Sequence, residues 1–162
     1  MTEELGRSRQ VPTELTDAKA KWTIDQVQIG DGAVIEKTVS ESDVYLFSGL
    51  TGDFSPNHIN ERYMQQSMYG QRIAQGALIV GLTSAVAAEY GIKFNISGVA
   101  AGYDHLRFTA PVFFGDTIRV TYEIATIDTE RSRTHADLLA TNQRGETVLV
   151  GQHILKYLPY DA

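Results

Sequence analysis

The sequence predicts an α+β fold in which one long buried helix is wrapped by an antiparallel sheet. Three observations carry this expectation. From Ala77 to Tyr90 the chain is uncharged up to Glu89, and Leu78, Ile79, Val80, Leu82, Ala85, Val86 and Ala87 occupy nearly every helical face. A helix apolar all round has to be buried. Ile118, Val120, Tyr122 and Ile124 alternate with Thr117, Arg119, Thr121 and Glu123, the period-two pattern of a half-buried antiparallel strand. Further strand-like runs follow the helix instead of alternating with helices, which favours α+β over a parallel α/β sheet.

Taken in order, residues 1–20 are polar and without period and read as a loose arm. Residues 21–162 read as one domain, a length that supports a sizeable core. Trp22 to Ile29 reads as an edge segment, and Gly30-Asp31-Gly32 as a turn. Ala33–Val39 is strand-like. Ser40 and Asp43 form a capping box for a short helix over Glu41–Leu50. Asn60 is placed to cap a second short helix carrying Tyr63, Met64, Ser67 and Met68. Gly91 reads as the stop of the long helix. Gly115-Asp116 reads as a turn that folds the 118–124 strand back on the preceding strand, which includes Leu106 and Phe108. Thr134–Thr141 and Thr147–Tyr157 read as two more strands around Asn142-Gln143-Arg144-Gly145.

Composition narrows the function. With 14 Lys and Arg against 20 Asp and Glu, the net charge is −6. That opposes general attraction to nucleic acid or an anionic membrane. There is no Cys, so disulfides, thiolate chemistry and Cys zinc sites are excluded. The N-terminus has no apolar signal core, and Glu3, Glu4, Glu14 and Asp17 oppose a transit peptide. The apolar run around Ile79 is broken by Gln75, Thr83 and Ser84 and is too short for a bilayer. The expectation is a soluble cytoplasmic protein.

One stretch concentrates chemistry. In Ser48-Gly49-Leu50-Thr51-Gly52-Asp53-Phe54-Ser55-Pro56-Asn57-His58, an acid and a base stand five residues apart. Pro56 biases Ser55 away from helix, so the pair falls on an irregular segment. A carboxylate and an imidazole held together can share one water and move its proton. The structural alternative is an Asp that stabilises a turn and a His that is a capped loop residue. Downstream, the helix opening at Gly76 offers free backbone N–H groups suited to negative charge developing on an oxygen. His105, His135 and His153 are isolated and read as structural. No His pair has ligand spacing and no dinucleotide fingerprint occurs, so neither metal nor nucleotide cofactor is expected. Arg131 and Arg133 read as a solvated loop. Met and aromatic side chains make adaptable apolar surfaces, so Tyr63, Met64 and Met68 read either as a packed cover or as the wall of an acyl pocket.

Gly52-Asp53, Pro56 and His58, followed by Ile73-Ala74-Gln75-Gly76 at the mouth of an apolar helix, resemble the MaoC-type dehydratases and R-specific enoyl-CoA hydratases. That pattern runs Ser/Thr-Gly-Asp-x-Asn-Pro-hydrophobic-His, then Ala-x-Gly. The likeness is good from Val44 to Tyr90 and extends in strand layout to the C-terminus. Ser55 replaces the usual Asn, Asn57 an aliphatic residue, and Met64 a small one. The resemblance implies a hot-dog fold and a hydro-lyase that hydrates a 2-enoyl-CoA to an (R)-3-hydroxyacyl-CoA. It implies catalysis by Asp53, His58 and the Gly76 N–H, with Ser55, Asn57, Tyr63, Met64, Met68 and Gln75 against the substrate. No cofactor is implied beyond the coenzyme A of the substrate. A homodimer, or a larger assembly of dimers, with sites at the subunit boundary is implied as well. The alternatives are a non-catalytic hot-dog module that binds acyl groups or pairs subunits, and an acyl-CoA thioesterase.

Overall fold

The computed structural model describes residues 22–159, so the expected arm at 1–20 lies outside the described residues. Five strands form one antiparallel sheet: β1 (Gly32–Thr38), β2 (Gly98–Phe108), β3 (Thr117–Asp128), β4 (Arg133–Thr141) and β5 (Thr147–Tyr157). Their spatial order is β1-β3-β4-β5-β2. Among the described residues there are four α-helices: α1 (Glu41–Thr51), α2 (Pro56–Ile59), α3 (Glu61–Met64) and α4 (Gly76–Lys93).

The period-two reading of β3 holds. Ile118, Val120, Tyr122 and Ile124 are each at most 2% exposed. They meet the face of α4 that carries Ile79, Thr83, Val86 and Tyr90 at spacings of four, three and four residues. Tyr90 stacks obliquely on Tyr122 at 5.1 Å and on Phe94 at 5.0 Å. Burying a Val or Ile side chain of this kind stabilises by about 1.5–3 kcal/mol. The result is the expected hot-dog layout, a long helix held in the curve of an antiparallel sheet.

The structure corrects several expectations. Helix α4 does not stop at Gly91 but runs to Lys93. Glycine inside a helix costs only about 1 kcal/mol relative to alanine. The aromatic contacts of Tyr90 and of Phe94, which also meets Trp22 at 5.2 Å, hold the helix on both sides of that residue. One side of α4 is left uncovered by its own sheet, as expected for a helix apolar nearly all round against one small sheet. Ala77, Gly81, Ser84, Ala85 and Ala88 stay exposed in the single chain, because one sheet reaches only one side of the helix. Strand β3 does not fold back on β2; it pairs with β1 and β4, while β2 pairs with β5. Asp116 explains the difference. It is 3% exposed and accepts hydrogen bonds from the Phe113 N–H, Gln143 and Arg144. The turn before β3 is thereby tied to the β4–β5 turn. Trp22–Ile29 supplies one parallel bridge from Trp22 to Ile96 and a 3-10 turn over Ile24–Gln26, not a strand. The helix capped by Asn60 is only four residues long, so Ser67 and Met68 lie beyond it.

The predicted cap of α1 is present. The Asp43 N–H donates to Ser40 Oγ, and the Ser40 N–H donates to Asp43 Oδ2. Lys37 beside it lowers the Asp43 carboxyl to about 2. At the other end Gly52 takes a left-handed conformation (φ +79°), which ends α1 and points the chain into Asp53.

Candidate active site

The site is built from two short pieces joined by Ile73. After Gly52, the Ser55 hydroxyl and N–H both donate to Asp53 Oδ1, at 2.6 and 3.2 Å. Pro56 then opens the single turn of α2, whose third residue is His58. Asp53 lies on the irregular loop, as expected from Pro56; His58 is on the turn. His58 Nδ1 lies 2.7 Å from the Ile73 carbonyl. A carbonyl only accepts, so Nδ1 carries the proton and donates. The Ile73 N–H in turn donates to the Asn57 carbonyl at 3.1 Å, and the Ala74 N–H donates to the Val112 carbonyl. The imidazole is therefore clamped in one tautomer and one orientation.

That clamp turns His58 Nε2 toward Asp53 Oδ2, 3.6 Å away. The gap is too long for a direct hydrogen bond. With a neutral ring both atoms are acceptors, and one water can donate a hydrogen to each. The Ser55 hydroxyl, then the Ser55 N–H, and more weakly His58, hold the Asp53 carboxyl below its usual range. Asp53 is thus ionised at neutral pH and ready to accept a proton.

His58 opens into a cleft of about 310 Å³ whose walls include Ile73, Gly76, Ile79, Phe108 and Val148. Gly76 is the first residue of the 18-residue α4. Its N–H meets no protein acceptor among the described residues. It is one of the free donors at the positive end of the helix dipole. A Cβ at Gly76 would lie 2.8 Å from the Phe108 ring, so glycine lets that ring close over the helix entrance.

The structure puts His58 and Gly76 in the wall of one cleft and Asp53 3.6 Å from His58 Nε2, outside that wall. Ser55 faces Asp53 and not the cleft. Asn57 is exposed and contributes its backbone carbonyl. Gln75 is 2% exposed and donates to Ser48 Oγ and the Val44 carbonyl, pinning the start of α4 to α1. Tyr63 and Met68 are exposed and Met64 is buried, and none of the three lines the cleft. The pocket wall expected from them is instead made by Tyr69, Phe108 and the segment Thr109–Val112. Tyr69 comes from the same segment as Tyr63, Met64 and Met68, whereas no local pattern marked Phe108 and Thr109–Val112, which the β2–β5 pairing brings to the site. Arg72 was also missed. It binds Glu41 at 2.6 Å and Glu61 at 2.9 Å and lies over the Phe114 ring, which anchors the residue next to Ile73.

The other histidines are elsewhere. His105 is exposed on a β2 bulge with φ +53°. His135 lies 4.0 Å from Asp104. His153 is buried. Among the described residues no three His, Asp or Glu side chains gather as metal ligands do, and no helix is long and apolar enough to cross a membrane.

Residues 26–143 match the family model described as a MaoC-like domain. The chain is 38% identical to an (R)-specific enoyl-CoA hydratase of Rhodospirillum rubrum over 107 residues, 66% of this chain and 72% of that protein. It is 35% identical to a 3-hydroxybutyryl-CoA dehydratase of Methylorubrum extorquens over 133 residues, 82% of each. In three dimensions it superposes on an unliganded R-hydratase from Pseudomonas aeruginosa with a TM-score of 0.75 and 27% identity, covering 86% of both chains. Fold, matched segment and relatives agree: the chain belongs to the MaoC-like family of hydratases and dehydratases.

Proposed function

We propose that this enzyme reversibly hydrates a 2-enoyl-CoA thioester to an (R)-3-hydroxyacyl-CoA, with Asp53 and His58 acting on one water. The observation that carries the reading is the clamped geometry of the pair beside the free Gly76 N–H. The thioester carbonyl leaves the β-carbon of the alkene electron-poor. The water oxygen attacks that carbon as the pair takes one of its protons. The electron pair of the alkene moves toward the carbonyl, and the Gly76 N–H holds the oxygen as enolate charge grows. The pair then delivers one proton to the α-carbon, so the elements of water are added and nothing is oxidised or reduced. Asp53 and His58 titrate as a coupled unit. The reading includes cofactor-free chemistry and a cytoplasmic location. The R configuration is carried over from the relatives' names.

The same proposal makes the enzyme a homodimer, or a larger assembly of dimers. Strand β2 is an unpaired edge of 11 residues, and the small residues Ala77, Gly81, Ser84, Ala85 and Ala88 leave one side of α4 uncovered. Long unpaired edges invite pairing with another chain. Two β2 edges joined antiparallel would make one longer sheet and lay the two helices side by side.

The test is a screen of 2-enoyl-CoA substrates of several lengths with product chirality read out. Loss of enoyl absorbance without thiol release, giving the R product, is expected. Thiol release would instead assign a thioesterase, and binding without turnover an acyl-binding module.

A further inference from the structure

Two backbone carbonyls flank His58: that of Ile73, which accepts from its Nδ1, and that of Ile59, the next residue in α2. Both are tied to Arg72. Arg72 precedes Ile73 in the chain. Its Nη1 donates to the Tyr45 hydroxyl at 3.2 Å, and that hydroxyl donates to the Ile59 carbonyl at 3.4 Å. Nη1 also lies 2.6 Å from Glu41, in the first turn of α1, the helix whose other end leads through Gly52 into Asp53. Nε donates at 2.9 Å to Glu61, which opens α3. The guanidinium carbon sits 4.7 Å from the centre of the Phe114 ring. Phe113, next to it, bridges Ile73, and the Val112 carbonyl takes the Ala74 N–H. Arg72 thus joins α1, α3 and the segment 112–114, the pieces that meet around His58. Its side chain is 16% exposed, whereas Glu41 and Glu61 are 55% and 44% exposed. A planar fork of five donors can hold two carboxylates and a hydroxyl in fixed directions; an ammonium is a single point of charge.

We propose that Arg72 is a positioning residue for the Asp53–His58 pair: its fork fixes the Ile73 peptide, and with it the tautomer of His58. The assignment rests on the hydratase reading above. A neutral imidazole carries one ring proton, and the hydrogen bond made by one nitrogen decides the state of the other. With the Ile73 carbonyl in place the proton stays on Nδ1, and Nε2 is an acceptor beside Asp53 Oδ2. When that carbonyl drifts, Nδ1 loses its acceptor, and exchange with solvent places the proton on Nε2. Nε2 then donates toward Asp53, and the pair no longer offers two acceptors to one water. Arg72 is not in the wall of the catalytic cleft. Its loss therefore acts on the chemical step and not on substrate affinity. Glu41 and Glu61 are solvated enough to stand without it, so removing the cation leaves no carboxylate buried alone.

The experiment reads ring tautomers in the full-length protein, labelled with nitrogen-15 histidine, by two-bond proton–nitrogen correlation at pH 8. The His58 signals are identified by their loss in His58→Asn. The wild type is expected to carry the His58 proton on Nδ1. Arg72→Met moves most of it to Nε2. The same change lowers kcat for the preferred enoyl-CoA by about 10–100-fold, the range known for groups that orient metal-bound histidines. Affinity for a saturated acyl-CoA stays nearly unchanged. Arg72→Lys keeps a cation but reaches only one carboxylate, so it shows both changes at reduced size and keeps the test open if Arg72→Met misfolds. A wild-type proton on Nε2, a proton still on Nδ1 in folded Arg72→Met, Arg72→Lys indistinguishable from the wild type, or a loss of affinity as large as the loss of kcat overturns the assignment. The tautomer is read without substrate. The expected shift in a protein that turns over no enoyl-CoA therefore overturns the hydratase reading alone.

Discussion

His58 and His153 are both buried, 8% and 1% exposed, yet their ring nitrogens meet opposite surroundings. His58 has a carbonyl on one nitrogen and a carboxylate facing the other. His153 has a tyrosine hydroxyl on one nitrogen and nothing on the other. The first environment fixes a tautomer and leaves a path for a proton. The second disfavours the charged ring by desolvation alone. Under the proposed mechanism, the partner of the second nitrogen, and not burial, is what separates the two histidines.

The largest test of that contrast is His58→Asn. Turnover of the preferred enoyl-CoA is expected to fall by about 10²–10⁴-fold, the usual contribution of a general acid–base group. Substrate binding, read as the affinity for a saturated acyl-CoA, should change little. A kcat within a factor of about three of wild type would place His58 with His153 as a packing residue.

The second test concerns stability. His153 has a folded pKa near 4 against an unfolded value near 6.5. Below about pH 6.5 the unfolded chain binds a proton that the folded chain refuses. This residue therefore lowers stability progressively as pH falls from about 6.5 to 4, by on the order of 3 kcal/mol in all. Urea unfolding at pH 7 and pH 4.5 should show a larger loss for the wild type than for His153→Gln. Equal losses would mean that His153 is solvated or paired in the folded protein.

A smaller effect is expected at Ser55. Removing its hydroxyl in Ser55→Ala takes away the leading cause of the lowered Asp53 pKa. The folded value rises, so the acid limb of the pH–rate profile moves to higher pH while the neutral plateau drops modestly. An unmoved limb would separate that limb from Asp53. The smallest effect belongs to His105→Asn. This exposed bulge position tolerates Asn at φ +53°, and kinetics and melting temperature should match the wild type.

Much of the fold could be read locally. The alternation from Ile118 to Ile124, the Ser40–Asp43 capping box and the apolar α4 each announce themselves within a few residues. The strand order could not. Gly115-Asp116 looks like a hairpin turn, and only the reach of Arg144 and Gln143 to Asp116 across 28 and 27 residues shows otherwise. The closeness of Asp53 and His58 was legible because both residues and Pro56 are near one another in sequence. The cleft wall was not, because Phe108 and Val148 come from β2 and β5 and meet only after the sheet forms. Tyr63, Met64 and Met68 had the composition of a pocket wall, but composition does not determine which way a short helix faces. The bare side of α4 shows the same limit, since an apolar residue reads alike whether its own sheet or a second chain covers it.

The central claim is that Asp53 and His58 act on one water. The most direct measurement is single-turnover hydration by Asp53→Asn, His58→Asn and the double variant, each shown to be folded. Asp53→Asn keeps the side-chain shape but removes the proton acceptor. Each single change is expected to remove most of the turnover, and the double change to cost little more than the worse single one, because groups acting as a unit are not additive. Near-native turnover in folded Asp53→Asn, or losses that simply multiply in the double variant, would contradict that claim.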